Sequence, residues 1–504
     1  MSAPEYGDYA KDRTSWFFGL TGPQLALVVL AGLPDLIALN SHAWPLFAGW
    51  LPVWGLLVVL VAVPVRGRPA ARWLLDLASF ALGGVMGWTS WQSKAAAGTV
   101  QDLDEADLPG VLAAVRIHDG PPFGPTLVRL AIVQNTAERT WAAVARIAHP
   151  GIGLAEAEER SRMGAGLAEL HEIASRTELI DLVAIQVRTV PDDGAERAAW
   201  ERAHRKPGAL PLARAVNERL ASTLTPAAVR TEAFVTVVVG EDRIAKSAKE
   251  SGGGVDGRAR VLYGAISEVE NRLRGAVGCT AVTWLDSPAL AVTIRTGFAP
   301  GDRAALVAAE LAARDNPGIA TGVPMAAAGP SSAHTEIRHY HHDAWASVTD
   351  TILLPDRGAI LGALAPVFVP SAPGERRSVT VFFPAMSQVG ADKLVGREEM
   401  SAITGDELRR RSGRLTRAKQ RRATARVTGM DEKLATGRAL VRPCAAASVT
   451  VPNTWPIPEY GRRLDASIRV AGFISQRLDL AQDAAFAAAT IPLGIGLPRR
   501  RGRR

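Results

Sequence analysis

The chain has 504 residues, of which 47% are hydrophobic and 21% are charged, and its formal net charge at pH 7 is +8. This length has room for several domains, and the composition excludes an intrinsically disordered chain. The positive charge favours an anionic lipid surface, nucleic acid or an acidic protein as partner. The two cysteines, Cys279 and Cys444, lie far apart and form no metal-ligand pattern, which favours a reducing compartment.

Two apolar runs near the N-terminus predict a transmembrane hairpin. Residues 22–39 and 46–65 are each about long enough to cross a hydrocarbon core of roughly 30 Å. Basic residues flank the pair on both outer sides, and the short link between the runs has none. Because cytoplasmic loops are rich in Lys and Arg, both ends of the hairpin are predicted to face the cytoplasm. The sequence therefore predicts a multi-pass protein of the inner (plasma) membrane with most of its chain in the cytoplasm.

Two features near this hairpin allow two interpretations each. Asp35 lies four residues before the end of the first run, so it either reaches the outer interface or contacts a pore or partner. Residues 74–91 are apolar but contain Asp76. An amphipathic segment lying in the membrane interface is the favoured interpretation. A third span is the alternative, and it would place the following residues outside the cytoplasm.

After a polar linker at 94–124, hydrophobic patterns predict a mixed region of strands and helices. Predicted strands, in chain order, are 127–134, 140–147, 179–190, 232–240, 280–285, 289–296, 347–354, 377–383 and 438–451. Predicted helices are 154–176, two short ones within 195–222, 257–274, 302–313, 406–436 and 464–478. Residues 484–493 are predicted as an apolar strand or terminal segment.

These patterns predict an α+β fold: a two-span transmembrane hairpin, then tandem α+β cytosolic domains, with a long basic helix near the C-terminus. The predicted divisions are an N-terminal arm (1–21), the hairpin (22–65), a juxtamembrane segment (66–92), a first α+β domain (93–230), a second α+β domain (231–330), a C-terminal α+β region (331–498) and a basic tail (499–504).

Two motifs suggest chemistry, but neither is complete. Residues 240–247 resemble a phosphate-binding loop, yet Ala245 replaces the second glycine that lets the backbone wrap the phosphates. Residues 339–343 (HYHHD) could be drawn as a metal cluster, with His339 and His341 on one face of a strand or His339 and Asp343 on one face of a helix. No second cluster completes a coordination sphere, and a polar turn or exposed strand edge is favoured. No nucleophile elbow or Ser-His-Asp arrangement is visible. The sequence therefore predicts no catalytic, cofactor-binding or metal-binding residue and no enzyme.

An arginine face within 406–436 is the stronger candidate for a binding surface. Four arginines recur at i, i+4, i+7 and i+11 and would lie along one side of a helix: Arg410, Arg414, Arg417 and Arg421. A capping box at 404–407 starts this helix. A solvated charged face explains the pattern without a function, and docking onto an acidic partner or the anionic inner leaflet is the functional interpretation. Nucleic acid is a weaker alternative because no aromatic residues lie nearby for stacking.

The N-terminal part resembles a known family. Residues 13–21 (RTSWFFGLT), the following Gln24-Leu25, the two apolar runs, Arg68-Pro69 and the segment 73–91 resemble PrgI-type small membrane subunits of Gram-positive conjugation systems. The soluble part resembles the pre-motor N-terminal domain of type IV secretion ATPases, and 486–497 is similar to the segment leading into their motor. The layout is similar to an actinobacterial family of conjugation-type membrane proteins encoded beside separate secretion ATPases, and also to the EccE component of type VII secretion.

This resemblance implies a non-enzymatic structural or adaptor component of a conjugative or type IV-like secretion apparatus, whose chain ends where the motor would begin. The expected partners are a separate motor ATPase and other membrane subunits in a hetero-oligomeric complex, with anionic lipid nearby and only indirect contact with nucleic acid. No catalytic residue and no cofactor carry over. The residues alone leave two alternatives, a membrane-anchored enzyme and a DNA-binding module.

Overall fold

The computed structural model describes residues 5–6, 22–66, 68–153, 155–191, 194–224, 229–355, 358–360, 362–396, 399–400, 429–432, 434–436 and 438–497. The chain divides into two compact units. Among the described residues, the anchor unit contains 22–88 and those between 387 and 442. The sheet body contains 5–6, 89–386 and 443–497.

The anchor unit begins with two antiparallel helices. They are α1 (Gly22–Asn40) and α2 (Trp44–Ala62), followed by the strand pair β2 (Pro64–Val65) and β3 (Arg68–Pro69) and by α3 (Ala70–Val85). Among the described helices, α2 is long and apolar enough to cross a membrane, and α1 contributes a shorter apolar stretch, Gln24–Asn40. The structure therefore supports one candidate span by length and composition, and it does not confirm the predicted two-span, multi-pass arrangement.

The sheet body is built on a large antiparallel sheet. Its strands are β4 (Ser90–Gln92), β5 (Val115–Phe123), β6 (Val128–Asn135), β7 (Thr140–Ala148), β8 (Ile180–Pro191), β9 (Val229–Gly240), β10 (Ala281–Trp284), β11 (Ser332–Thr335), β12 (Tyr340–His342), β13 (Trp345–Leu353), β15 (Arg376–Pro384), β16 (Cys444–Pro452) and β17 (Ile474–Arg477). A separate pair joins β1 (Glu5–Tyr6) to β14 (Ala359–Ile360).

The strand order along this sheet, within the described part of the chain, is β4-β11-β12-β13-β16-β15-β8-β9-β7-β6-β5. Two further strands complete it, since β10 also pairs with β7 and β17 also pairs with β13. The body's helices are α4 (Ala157–Arg176), α5 (Ala195–His204), α6 (Pro211–Leu224), α7 (Glu241–Glu250), α8 (Gly254–Arg272), α9 (Ser287–Phe298), α10 (Arg303–Asp315), α11 (Ala365–Phe368), α12 (Ile457–Val470) and α13 (Gln482–Thr490).

Helices cover both faces of this sheet. Side chains on a strand point alternately to opposite faces, and on β9 Phe234 and Val238 enter one core while Val235 and Val237 enter another. Helices α9 and α13 pack in the first core. The opposite face is covered by α4, α7 and α8 over β6 to β9, and by α11 and α12 over β13, β15 and β16.

The predicted mixed α+β class is confirmed, and several predicted elements need correction. Residues 289–296, predicted as a strand, lie in α9, and 482–490 form α13 where a strand or terminal segment was predicted. The predicted helix 464–478 ends at Val470 and is followed by β17, and the predicted linker contains β5. The predicted division at 230/231 falls inside β9, and strands on both sides of it pair in one sheet.

The prediction of a strand at 289–296, where the structure has α9, is wrong for a local reason. Its run of apolar and β-branched residues favours a strand. The structure instead uses Asp286 as an N-cap, whose side chain accepts a hydrogen bond from the Ala289 N–H at 2.9 Å, with a proline in the first turn. The buried residues Leu290, Ile294 and Phe298 then recur every four positions, which is the helical period.

Candidate functional site

Helix α2 exposes an almost continuous apolar surface. None of its residues is buried, and Leu46 is 70% exposed. A core helix of a soluble protein can be equally long and apolar, but such a helix is mostly buried. Contiguous apolar surface of this kind marks a membrane or protein interaction site. Helix α2 is therefore the candidate membrane surface of the anchor unit.

Two tryptophans bind α1 to α2. The indole N–H of Trp50 donates to the Ala31 carbonyl at 3.0 Å, and that of Trp54 donates to the Val28 carbonyl at 3.0 Å. Gly32 makes room for this contact, because a Cβ there would lie 2.9 Å from the Trp54 nitrogen. Both indole donors are thus satisfied inside the helix pair, which an apolar environment requires.

Asp35 is the ionisable residue that the sequence places inside the first apolar run. Its side chain is 7% exposed, and neither carboxylate oxygen has a hydrogen-bond partner in the described part of the chain. It shares a face of α1 with the buried Ala38, three residues on. An ionisable group so placed is a functional candidate, and the structure favours an interior contact over an exposed interfacial position.

The phosphate-loop-like motif has helical geometry. Residues 241–247 form the first turns of α7, with Gly240 as the preceding extended residue and Lys246 exposed. The Glu241 carboxylate accepts hydrogen bonds from Arg258, which lower its pKa, and from the indole of Trp141. A helix starting directly after the glycine provides no loop that could wrap a phosphate.

The histidine hairpin, which we define as residues 332–342, assembles a different group from the one drawn on the sequence. The side-chain oxygens of Glu336 lie 3.1 Å from His339 Nε2 and 3.5 Å from His341 Nε2. Asp343 is not part of it, because its carboxylate pairs with Arg295 at 3.1 Å and accepts from the Ser331 N–H at 2.6 Å. Sequence reasoning missed Glu336, whose position depends on the two-residue turn that brings it opposite His339.

An open cavity of about 390 Å³ adjoins this hairpin. Its lining includes His334, His341, Asp343 and Ser90. His342, next in sequence, faces the opposite side of the strand and is buried, where its two ring nitrogens bond the Phe298 carbonyl at 2.6 Å and the Ser347 hydroxyl at 2.8 Å. The ring of His342 is therefore hydrogen-bonded in the core at the base of the cavity, and His334 and His341 also line the cavity.

Buried arginines form a second arrangement that the sequence does not reveal. Arg188 on β8 pairs with Glu232 on β9 at 2.7 Å and donates to the Thr293 carbonyl at 3.1 Å. Arg376 on β15 donates to the Thr296 carbonyl at 2.7 Å and also to that of Gly297. Both guanidinium groups bond carbonyls in the C-terminal half of α9, and Arg376 satisfies two of the last four, where positive charge is favourable.

Charge and burial in this layer shift the ionisation of its members. Burial and the neighbouring Arg188 lower the pKa of Arg376. Although burial acts in the opposite direction, the Arg188 guanidinium and its hydrogen bond hold the pKa of Glu232 below the ordinary value. The pKa of Arg376 falls to about 9, so this arginine stays charged near neutral pH. Together with the Arg188–Glu232 pair it forms an internal polar network that orders α9 on the sheet.

The four predicted arginines Arg410, Arg414, Arg417 and Arg421 lie outside the described residues, as do the N-terminal arm apart from Glu5 and Tyr6 and the basic tail 499–504. A comparison with known protein families and curated proteins finds no match to this chain. The feature of the described residues that points most directly to a function is the exposed apolar helix α2.

Proposed function

We propose that this protein is a non-enzymatic structural or adaptor component of a conjugative or type IV-like secretion apparatus. In this proposal α1 and α2 form a two-span anchor in the inner membrane, and the sheet body docks a separate motor ATPase. The observation that carries the proposal is α2, a helix long enough to cross a membrane whose residues are all unburied. The resemblance of residues 13–91 to PrgI-type subunits supports the same assignment.

Charge around the two helices supports a membrane position. Arg66 and Arg72 follow α2, and Lys11 and Arg13 precede α1, whereas residues 40–45 between them carry no Lys or Arg. Under the positive-inside rule this distribution supports a cytoplasmic position for both flanks. The tryptophan contacts between α1 and α2 would hold the two spans together, because each indole donor finds a carbonyl without water.

Helix α6 supports a docking role for the sheet body. Leu212, Val216 and Leu220 recur every four residues and are all exposed, Leu212 by 75%. Arg219 lies three residues after Val216 on the same helix and borders this row. An apolar row with an arginine beside it fits a partner that offers an apolar groove with a carboxylate at its rim. We assign this partner surface to the motor ATPase.

The predicted arginine face at Arg410, Arg414, Arg417 and Arg421 would add a second contact. Its proposed occupant is the anionic inner leaflet, where each basic residue near the surface contributes about 1 kcal/mol. The α6 row and the arginine face would thus bind a motor ATPase and anionic lipid, and neither surface requires catalytic chemistry.

The test is co-purification from the native host. Membranes are extracted in mild detergent, and the full-length wild type is compared with the Leu212→Ser/Val216→Ser variant for recovery of a secretion ATPase. Because central apolar contacts in an interface contribute more than about 1 kcal/mol each, we expect recovery to fall roughly tenfold or more. Recovery of the wild type as a lone monomer would contradict the adaptor role.

A matched control separates docking from general loss of apolar surface. Leu103→Ser/Val111→Ser changes two exposed apolar residues elsewhere in the sheet body and should leave ATPase recovery unchanged. If both double variants lose the ATPase equally, α6 is not the docking surface. Steeply salt-dependent DNA binding by the wild type in place of ATPase recovery would support the alternative DNA-binding module.

A further inference from the structure

We propose that Glu336, His339 and His341 form a binding site for a divalent first-row transition-metal ion of the Zn²⁺ type. The inference is independent of the secretion role. Each of the three residues offers one ligand atom, and these atoms all lie within 4.8 Å of one another. Imidazole nitrogens with a carboxylate suit Zn²⁺ and its neighbours, whereas Mg²⁺ and Ca²⁺ prefer oxygen ligands alone.

The hairpin backbone brings these ligands together. Strands β11 and β12 pair antiparallel, and the Glu336 N–H donates to the His339 carbonyl at 2.9 Å, which closes a two-residue turn at Ile337-Arg338. Glu336 therefore stands directly across from His339. His339 and His341 are two residues apart on an extended segment, so their side chains lie on the same face.

The distances between ligand atoms match a metal polyhedron. Bonds of about 2.0–2.1 Å in a tetrahedral site separate neighbouring ligand atoms by roughly 3.3 Å. Glu336 Oε2 lies 3.1 Å from His339 Nε2, and Glu336 Oε1 lies 3.5 Å from His341 Nε2, so each imidazole nitrogen already has one carboxylate oxygen near this separation. The two imidazole rings are 4.8 Å apart between centroids, and turning one of them adjusts the remaining separation.

The surroundings keep the site rigid and leave one position open. The hairpin tip is fixed because the Leu480 N–H donates to the Ile337 carbonyl at 2.8 Å and Arg338 pairs with Asp479 at 3.5 Å. Because Arg338 pairs with Asp479, its positive charge does not neutralise the Glu336 carboxylate. Three protein ligands leave a fourth position for water or for His334, which pairs with His341 across the strands and is oriented by the Ser90 hydroxyl at 3.0 Å.

The experiment is a metal titration of the full-length protein in detergent, purified without a polyhistidine tag. Co²⁺ is added first, and visible d–d absorption reports a bound ion with nitrogen ligands. Zn²⁺ then displaces Co²⁺, and competition with a chelating dye gives its affinity. We expect one ion per chain in the wild type. Absence of the Co²⁺ spectrum, or a spectrum that Zn²⁺ does not remove, would overturn the proposal.

Variants locate the site. Glu336→Gln and His339→Gln/His341→Gln should each lower the Zn²⁺ affinity at least about tenfold, since even groups that only support a ligand contribute 10–100-fold. His204→Gln, which removes an exposed histidine on α5, should leave the affinity unchanged. Equal affinity in the wild type and the ligand variants, or equal loss in the control, refutes the assignment. Thermal unfolding of each variant shows whether a lower Zn²⁺ affinity reflects a lost ligand or a destabilised fold. Glu336 is exposed, so its substitution by Gln should leave the unfolding midpoint near that of the wild type.

Discussion

Helices α2 and α13 are both apolar, and they show opposite relations to their surroundings. In α13 eight of the nine residues, Gln482 and those from Ala484 to Thr490, are buried, whereas α2 has none. The sheet also satisfies the ends of α13. Its Ala489 carbonyl accepts from Gln186 at 2.9 Å, and Thr349 makes two hydrogen bonds with the Gln482 side chain. Within the described part of the chain, no residue of α2 is covered to this degree.

An apolar sequence therefore defines a need for burial but does not define whether protein or lipid provides it. Removing apolar surface from water is favourable whether protein or lipid covers it. Helix α13 is buried by other residues of this chain, in the core that also contains Phe234 and Val238. For α2 the proposed cover is the membrane. Four changes test whether the two regions follow these separate rules.

Charge in the middle of α2 should have the largest effect. The Val53→Arg/Leu56→Arg variant places two arginines near the centre of the helix, at a cost of about 2.5–3.5 kcal/mol each if that centre lies in lipid. We expect the protein to leave the membrane fraction on alkaline carbonate extraction. Leu103→Arg, at an exposed position of the sheet body, should not change the fractionation. Retention of the double variant would contradict a spanning α2.

Breaking the buried ion pair should destabilise the sheet body and spare the anchor. Arg188→Met leaves the Glu232 carboxylate buried without its closest partner and removes a donor from the end of α9. Loss of one member of a buried pair costs about 3–5 kcal/mol. We expect a large drop in the unfolding midpoint by tryptophan fluorescence, with membrane association retained. Arg188→Met/Glu232→Gln should recover part of the loss, and a midpoint equal to wild type in the single variant would refute the role of the pair.

At a closely packed glycine of the sheet body, adding a single methyl group should lower the free energy of unfolding. A Cβ at Gly166 on α4 would lie 2.2 Å from the Ala276 carbonyl oxygen, a backbone atom that cannot yield. We expect Gly166→Ala to destabilise the body by about 1–3 kcal/mol, as overpacking does. Gly264→Ala on α8, where nothing lies within 4 Å, should instead stabilise by about 0.5–1 kcal/mol. Equal midpoints for the two variants would show that the contact at Gly166 relaxes freely.

The smallest expected effect is a pH dependence from His171 on α4. Burial next to Phe383 lowers its pKa to about 4, below the 6.5 of an exposed histidine. Between these values the unfolded chain binds more protons, so stability falls as the pH drops, by up to about 1.4 kcal/mol per pH unit. His171→Leu should flatten this part of the unfolding profile, while His204→Gln should leave it unchanged. An unaltered slope in His171→Leu would rule out this residue as the source.

Some of the fold could be predicted because it depends on local pattern. Strands β6, β7 and β9 alternate between two cores and were found within a few residues of their bounds. Helix α13 could not be predicted from local pattern, because its run of alanines has no periodic polar face. It is buried on all sides by other parts of the sheet body, and these contacts form only in the folded chain. Glu336 was missed for a similar reason, since its approach to His339 depends on pairing between β11 and β12.

Local sequence patterns predict the mixed α+β class, the position and apolar character of α2, and the alternating strands, because each depends on neighbours within a few residues. Tertiary contacts account for the rest: Arg188 and Arg376 bond α9 as a helix, the strands join in one sheet across the predicted division at 230/231, and Glu336 approaches two histidines. These outcomes depend on groups up to hundreds of residues apart. These groups interact only after the chain has folded, so no local sequence pattern predicts their contacts.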